Sequence, residues 1–233
     1  MHFFYQPNLS AEYIHLDEDE SKHAIRVLRI VAGDQVEVVN GKGQRVIAEV
    51  SKDHPKRCEL RIISRVQETS PRPYYLHVAV APTKSIDRIE WFLEKAVEIG
   101  IDEVSFLKCE NSERTAVKME RMEKVAVSAM KQSQQSRIPV LNEVRQFDEL
   151  LSNTTGDIRL IAHCEESAKN PIQTKIEKGK SILVLIGPEG DFSTNEINQA
   201  LAEGFIPISL GETRLRTETA ALYAVINAAI TLG

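Results

Sequence analysis

The stretch that decides the fold is Ile182-Leu183-Val184-Leu185-Ile186, which runs into Gly187-Pro188-Glu189-Gly190-Asp191-Phe192. A second stretch repeats the plan: Ile206-Pro207-Ile208-Ser209-Leu210 leads into Gly211-Glu212-Thr213-Arg214-Leu215-Arg216-Thr217-Glu218-Thr219-Ala220. Short unbroken apolar runs suit strands covered on both faces, as in a parallel sheet. Ligands of such sheets sit beyond the carboxyl ends of the strands. Two glycine turns at that place let backbone come close to a flat, uncharged group such as adenine, so the region is expected to be a cofactor site.

The first loop narrows the cofactor. Glu189 and Asp191 put carboxylates where a phosphate binder presents bare N–H groups and a lysine. The spacing of a dinucleotide fingerprint and the Gly-Lys-Ser/Thr of a phosphate loop are both absent. S-adenosylmethionine fits better, because it carries an adenosine and a sulfonium cation but no phosphate. A purely structural reading stays open, in which Gly-Pro turns the chain and Ser193, with Glu196 three residues on, caps the next helix. The cap is expected in either case.

At 233 residues the chain can bury a good core in one or two domains. No apolar run reaches the eighteen or so residues of a membrane span, and Met1-His2-Phe3-Phe4-Tyr5-Gln6-Pro7 does not read as a signal peptide. A cytoplasmic protein without a membrane partner is the expectation. Cys58, Cys109 and Cys164 are odd in number and far apart, which indicates neither a disulfide framework nor a metal site. They read as small buried apolar residues; Cys164 stands out because it ends the strand-like segment 158–163.

The net charge of -5 argues against a chain that grips nucleic acid over its whole surface. Residues 21–65 nevertheless hold ten Lys or Arg against five Asp or Glu, a local balance of 10 - 5 = +5. Such a patch is the electrostatic footprint of a phosphate-contacting module, or else the solvated surface of a small β domain.

The clearest break in the chain is Ser70-Pro71-Arg72-Pro73. It predicts one domain over residues 1–70 and another over 74–233. In the first, alternation predicts strands over 35–39, 45–50 and 59–66, with a hairpin turn between the first two and a helix around 21–28. In the second, strands and helices alternate, which predicts a parallel sheet wrapped by helices. Its expected strands are 76–81, 104–107, 160–162, 182–186 and 206–210. Its expected helices begin near Ile86 and end at Gly100, run over roughly 116–136, and close the chain over 218–232.

The two glycine stretches resemble the ends of SPOUT methyltransferases, most closely the RsmE type, which methylates N3 of a uridine in small-subunit ribosomal RNA. That family reads approximately IGPEGGF and LGxRILRxETA where this chain has 186–192 and 210–220. Weaker matches occur in order: Lys84 and Arg88, the run 94–100, Ser112-Glu113-Arg114, Gln132-Ser133 and Arg137-Ile138-Pro139. The run 23–29 is similar to the family's PUA-like RNA-binding domain. The resemblance implies an α/β fold with a trefoil-knotted parallel sheet, helices on both faces and a small PUA-like β-barrel in front. It also implies a homodimer acting on 16S rRNA, within the small subunit or its precursor. Three departures stand out: Asp191 for glycine, Thr213-Arg214 for Arg-Ile, and Gln135 for arginine.

For the cofactor, the resemblance implies contacts from Ala162, His163, Ile186, Gly187, Pro188, Glu189, Gly190, Leu210, Gly211 and Leu215. Uridine N3 carries a proton and is a poor nucleophile until it is lost, so the site needs a base or a cation that stabilises the uracil anion. Arg216 is the candidate for the cation, since guanidinium is always charged and presents parallel donors. Glu218 is the candidate to orient that arginine or accept the proton. The alternative for Glu218 is helix capping chemistry, with Thr217 or Thr219 as the cap. RNA contacts are expected from Lys22, Arg26 and Arg29, with Arg114 and Arg137 nearer the pocket. Competing readings are an inactive RNA-binding assembly factor, another SPOUT activity, and an ordinary nucleotide-dependent enzyme.

Overall fold

Alternating patterns and turn residues build two units in the computed structural model, which describes residues 2–66 and 72–233. One unit comprises Met1–Ser70 with Val127–Ile138, the other Pro71–Ala126 with Pro139–Gly233. Of the expected break, Ser70 and Pro71 lie outside the described residues. A break at one point of the chain does not anticipate that residues 127–138 group with the first unit.

The first unit is a five-stranded sheet. Its strands are β1 (His2–Tyr5), β2 (Tyr13–His15), β3 (Gln35–Val39), β4 (Arg45–Lys52) and β5 (Glu59–Val66), in the order β1-β3-β4-β5-β2. Strands β3, β4 and β5 form the antiparallel meander that alternation predicts. The edge strands β1 and β2 are short and were not anticipated; Gln6 Nε2 donates to His15 O at 3.1 Å between them. Helix α1 (Glu18–Lys22) starts earlier than expected, because the Asp17 side chain caps it by accepting from Glu20 N. It continues as a π-helical turn over His23–Val27. Phe4, Ile14, Val36, Val38, Val46, Ala48 and Leu60 form the core between these elements.

The second unit is built on seven strands, all parallel, in the order β10-β12-β9-β11-β6-β7-β8. These are β6 (Tyr75–Val80), β7 (Glu103–Lys108), β8 (Val140–Gln146), β9 (Ile158–Ala162), β10 (Asn170–Pro171), β11 (Ser181–Ile186) and β12 (Ile206–Ser209). Helices α2 (Ile86–Ile99), α3 (Met119–Gln132), α4 (Phe147–Asn153), α5 (Thr194–Ala202) and α6 (Thr217–Leu232) connect or follow them. Strands β8 and β10 are edges whose polar or very short sequences carry no apolar run, and α4 has only two turns. Helix α3 is shorter than expected; Met122 and Ala126 are buried in its first half, and its residues from Val127 on, with buried Met130, group with the first unit.

Alternation along β11 divides its side chains between two cores. Leu183 and Leu185 pack with Phe147, Leu150, Ile197 and Ala200, from α4 and α5. The intervening residues face the side on which α2 and α6 pack together, with α6 also against β6 and β11. Helices therefore cover both faces, and all six residues of β11 except the half-buried Ser181 are buried. The ordering β12-β9-β11 brings three strand ends together, at Ser209, Ala162 and Ile186. Both glycine loops leave from this point.

Candidate active site

The first loop is tied down by its own side chains. Gly187 is followed closely by Phe192, whose ring and backbone nitrogen would lie 3.1 Å from a Cβ at position 187. A side chain at 187 would crowd Phe192, so internal packing already favours glycine at this point of the cavity lining. The Glu189 carboxylate accepts from Lys84 N at 3.1 Å, and Asp191 accepts from Cys164 N at 2.7 Å and from Phe192 N at 2.9 Å. Asp191 holds a left-handed backbone (φ 68°), the conformation that makes glycine usual at such a position. Its carboxylate thus links the glycine loop to the end of β9. Both acidic residues serve as ties within the protein.

Gly190 faces away from the loop's concave side, and an added Cβ would meet Asn111 Cβ at 3.1 Å. Asn111 Nδ2 donates to Asp191 O at 3.1 Å and fixes the loop from outside. The capping box expected of Ser193 and Glu196 is present in full. The buried Glu196 carboxylate also accepts from Glu110 N at 2.8 Å, so both of its oxygens are used.

The second loop meets the first through Thr217, whose buried hydroxyl donates to Gly187 O at 3.0 Å. Neither Thr217 nor Thr219 caps α6: Arg216 is the N-cap residue, with extended backbone and no side-chain cap. Thr217 is already the first helical residue, and its hydroxyl proton is used across the junction. Gly211 has φ 122° with open space around it, so here the turn itself requires glycine.

Between the loops lie two adjoining cavities of about 400 and 380 Å³. Ala162, Cys164, Arg214, Leu215 and Ala220 line both. The first adds His163, Leu210 and Gly211, and the second adds Ile186, Gly187, Pro188, Glu189 and Arg216. Ten expected site residues therefore converge, whereas Gly190 and Glu218 line neither cavity. Lys169, Arg214, Asp191 and Thr217 also belong to the lining but were not among the expected contacts.

Charge is arranged unevenly around these cavities. Arg216 is exposed at the second one and makes no side-chain hydrogen bond or ion pair among the described residues. Glu218 is buried and its Oε1 lies 3.8 Å from Arg88 Nη1. Its partner is therefore Arg88, which lines the cavity, and not Arg216 as expected. The other oxygen, Glu218 Oε2, is buried without a hydrogen-bond partner among the described residues. Glu218 also sits in the first turn of α6, where a carboxylate favours the helix dipole.

His163 is buried, and both ring nitrogens lack a partner among the described residues. Burial holds its pKa below the ordinary histidine value, and the nearby Lys169 cation adds to the effect. Cys164 is exposed, but desolvation raises its pKa and the Asp191 carboxylate raises it further. A neutral thiol is a weak nucleophile, so the site offers cations and shape instead. Among the described residues no cluster suited to a metal ion is found.

The remaining expected RNA contacts have different surroundings. Arg114 donates to the backbone oxygens of Thr83 (3.0 Å) and Lys84 (2.6 Å), which supports the segment that grips Glu189. It is a buttress for the site. Lys22 lies 3.8 Å from Glu18, while Arg26 and Arg29 are exposed. Arg137 belongs to the first unit and donates to Lys42 O at 3.1 Å.

Comparison with known proteins resolves the class. The RNA methyltransferase domain profile matches residues 70–229, and the RNA methyltransferase PUA domain profile matches residues 16–63. The chain belongs to the RNA methyltransferase family. Within that family it is 27% identical over 221 residues to ribosomal RNA small subunit methyltransferase E of Bacillus subtilis, covering 89% of this chain and 86% of that one. It is 39% identical to a probable rRNA-methyltransferase from Porphyromonas gingivalis, whose crystal structure matches with a TM-score of 0.93 over 100% and 98% of the two chains. The small subunit methyltransferase E of Neisseria gonorrhoeae, crystallised with S-adenosyl methionine, is 25% identical, with a TM-score of 0.87 over 98% and 96%. The fold is accordingly the SPOUT-type α/β fold with a PUA-like domain in front. No helix among the described residues is long and apolar enough to cross a membrane.

Proposed function

We propose that the chain methylates N3 of a uridine in small-subunit ribosomal RNA, using S-adenosylmethionine. The observation that carries this reading is the meeting of the two glycine loops around adjoining cavities, with an unpaired guanidinium, Arg216, at one of them. The unpartnered nitrogens of the buried His163 suit a ligand that brings its own polar groups. Ala162, His163, Leu210, Gly211 and Leu215 would hold the cofactor from one side and 186–189 from the other. S-adenosylmethionine supplies an electrophilic methyl group. Family membership and the cofactor-bound Neisseria relative support this assignment.

The chain's own contribution is positioning and charge. Holding an acceptor nitrogen in line can supply on the order of 7 to 11 kcal/mol of the barrier in favourable cases. Arg216 stabilises the uracil anion on a carbonyl oxygen as N3 gives up its proton to solvent, which reaches the exposed Arg216 side chain. Glu218, held by Arg88, places the start of α6 and fixes the direction of its N-cap residue. Neither the histidine nor the thiol beside the cavity is required as a nucleophile.

The threading of residues 210–233 into a trefoil knot is part of the same proposal. Its support is the passage of the chain from β12, past the end of β9, to Gly187. So is a cytoplasmic homodimer acting on the small subunit or its precursor. The adjoining helices α2 and α6 carry exposed Trp91, Ile99 and Ile230, apolar surface that a second copy would cover. An inactive assembly factor is disfavoured by the open cavities and the free Arg216.

Mass spectrometry of ribosomal RNA from cells lacking the gene tests the proposal. Loss of one N3-methyluridine, restored by the wild type but not by Arg216→Ala, is the expected result. An unchanged modification profile would refute it.

A further inference from the structure

The first unit contains a cleft that no part of the methyl-transfer site uses. It has a volume of about 430 Å³ and is lined by Pro7, Asn8, Leu9, Ser10, Asn40, Lys42, Gln44 and Arg65. Two cations and no carboxylate are in that lining.

The local balance of charge explains why these two cations matter. Within 21–65, Lys22 and Lys56 lie beside Glu18, Arg45 beside Glu37, and Arg61 beside Glu49. Among the described residues the other six, Arg26, Arg29, Lys42, Lys52, Arg57 and Arg65, have no such acidic partner, and of these Lys42 and Arg65, both exposed, are the two that line the cleft. Among the described residues Arg65 Nη2 reaches Ser10 O, at 3.5 Å. Their charge is therefore left for something outside the chain.

The walls of the cleft are built in advance. Asn40 is buried, and its Oδ1 accepts from Lys42 N at 2.8 Å and Gln44 N at 3.0 Å. Its Nδ2 donates to Gln44 Oε1 at 2.9 Å. Gly43 N donates to Ser136 O at 2.8 Å, and Arg137 holds Lys42 O. On the other wall, Asn8 Oδ1 accepts from Ser10 N and Ser10 Oγ, at 3.0 and 2.7 Å. That leaves the Asn8 amide group available as a donor. A fixed hairpin, a fixed turn and two uncompensated cations form a concave seat for an anion with polar neighbours.

We infer that this cleft binds a phosphodiester of the RNA with its adjoining ribose, between Lys42 and Arg65. The inference rests on the RNA substrate of the preceding section and gives that substrate a second point of attachment, separate from Lys22, Arg26 and Arg29. Phosphate contacts of this kind set the register of the substrate without reading its bases.

The test is equilibrium binding of a small-subunit rRNA fragment, and of a shuffled RNA of the same length, to the full chain and to Lys42→Gln/Arg65→Gln at several salt concentrations. Both side chains are exposed, and an unchanged melting temperature and unchanged S-adenosylmethionine affinity would show the variant is folded. The double variant is expected to bind both RNAs about tenfold more weakly at moderate salt. Its slope of log affinity against log salt should fall by about 0.7, the loss of one phosphate contact on a single strand. Affinity and slope equal to the wild type would overturn the subsite alone. A loss confined to the rRNA sequence would overturn the phosphate assignment in favour of base contacts. Failure of the wild type to bind either RNA would instead sink the substrate reading, and the subsite with it.

Discussion

The two glycine loops are made of similar residues but are held in opposite ways. The loop after β11 is fixed at three points: Glu189 accepts from Lys84 N, Asp191 accepts from Cys164 N, and Gly187 O accepts from the Thr217 hydroxyl. The loop after β12 exposes Gly211, Glu212, Thr213, Arg214 and Arg216, and its internal hydrogen bonds are those between Ser209 and Gly211. One wall of the site is preformed, and the other carries one uncommitted guanidinium, Arg216, beside Arg214, whose Nη2 reaches Glu189 O at 3.5 Å. The difference divides labour between shaping a cofactor seat and meeting a substrate.

Replacing the uncommitted charge should have the largest effect. Arg216→Ala is expected to slow methyl transfer about 10²- to 10³-fold, as for loss of one donor to a developing anion, with cofactor affinity unchanged by calorimetry. Arg216→Lys should recover only part of the rate, because an ammonium lacks the planar fork. Equal loss of cofactor affinity would mean that Arg216 belongs to the seat.

The junction between the loops comes next. Thr217→Val leaves Gly187 O without its buried donor and should cost about 1–3 kcal/mol in denaturant unfolding, whereas Thr217→Ser should restore most of it. A smaller effect is expected from Asp191→Gly, which relieves the left-handed backbone but releases Cys164 N. Cofactor affinity should fall about tenfold, in line with a hydrogen bond to a charged acceptor, and the Cys164 amide should exchange faster in the free protein. Unchanged affinity and exchange would show that the tie is ornamental.

The smallest effect concerns pH. His163 has a lowered folded pKa, so its stabilising contribution is complete above the unfolded value of ~6.5 and is lost as pH falls from there to the folded pKa. His163→Phe should flatten that part of the stability–pH curve.

How legible the site was follows the same division. The apolar runs of β11 and β12, with the glycines behind them, located both loops, because hydrophobic period and backbone freedom are local properties. The edge strands β8 and β10 were hidden by sequences such as Val140-Leu141-Asn142-Glu143, which lack the pattern of a buried strand. Side-chain partners were the hardest to read. Glu218 was expected beside Arg216, two residues away, yet helix α6 turns it toward Arg88 on α2, more than a hundred residues earlier. Likewise the acidic residues of the first loop suggested repulsion of phosphate, while their carboxylates in fact bind backbone N–H groups of other segments.

The most direct test is calorimetric titration of S-adenosylmethionine into the wild type and into Ala220→Leu, which fills the space where the two cavities adjoin. Saturable binding by the wild type and none by the folded variant is the predicted result. Equal binding by both would place the cofactor elsewhere and contradict the account.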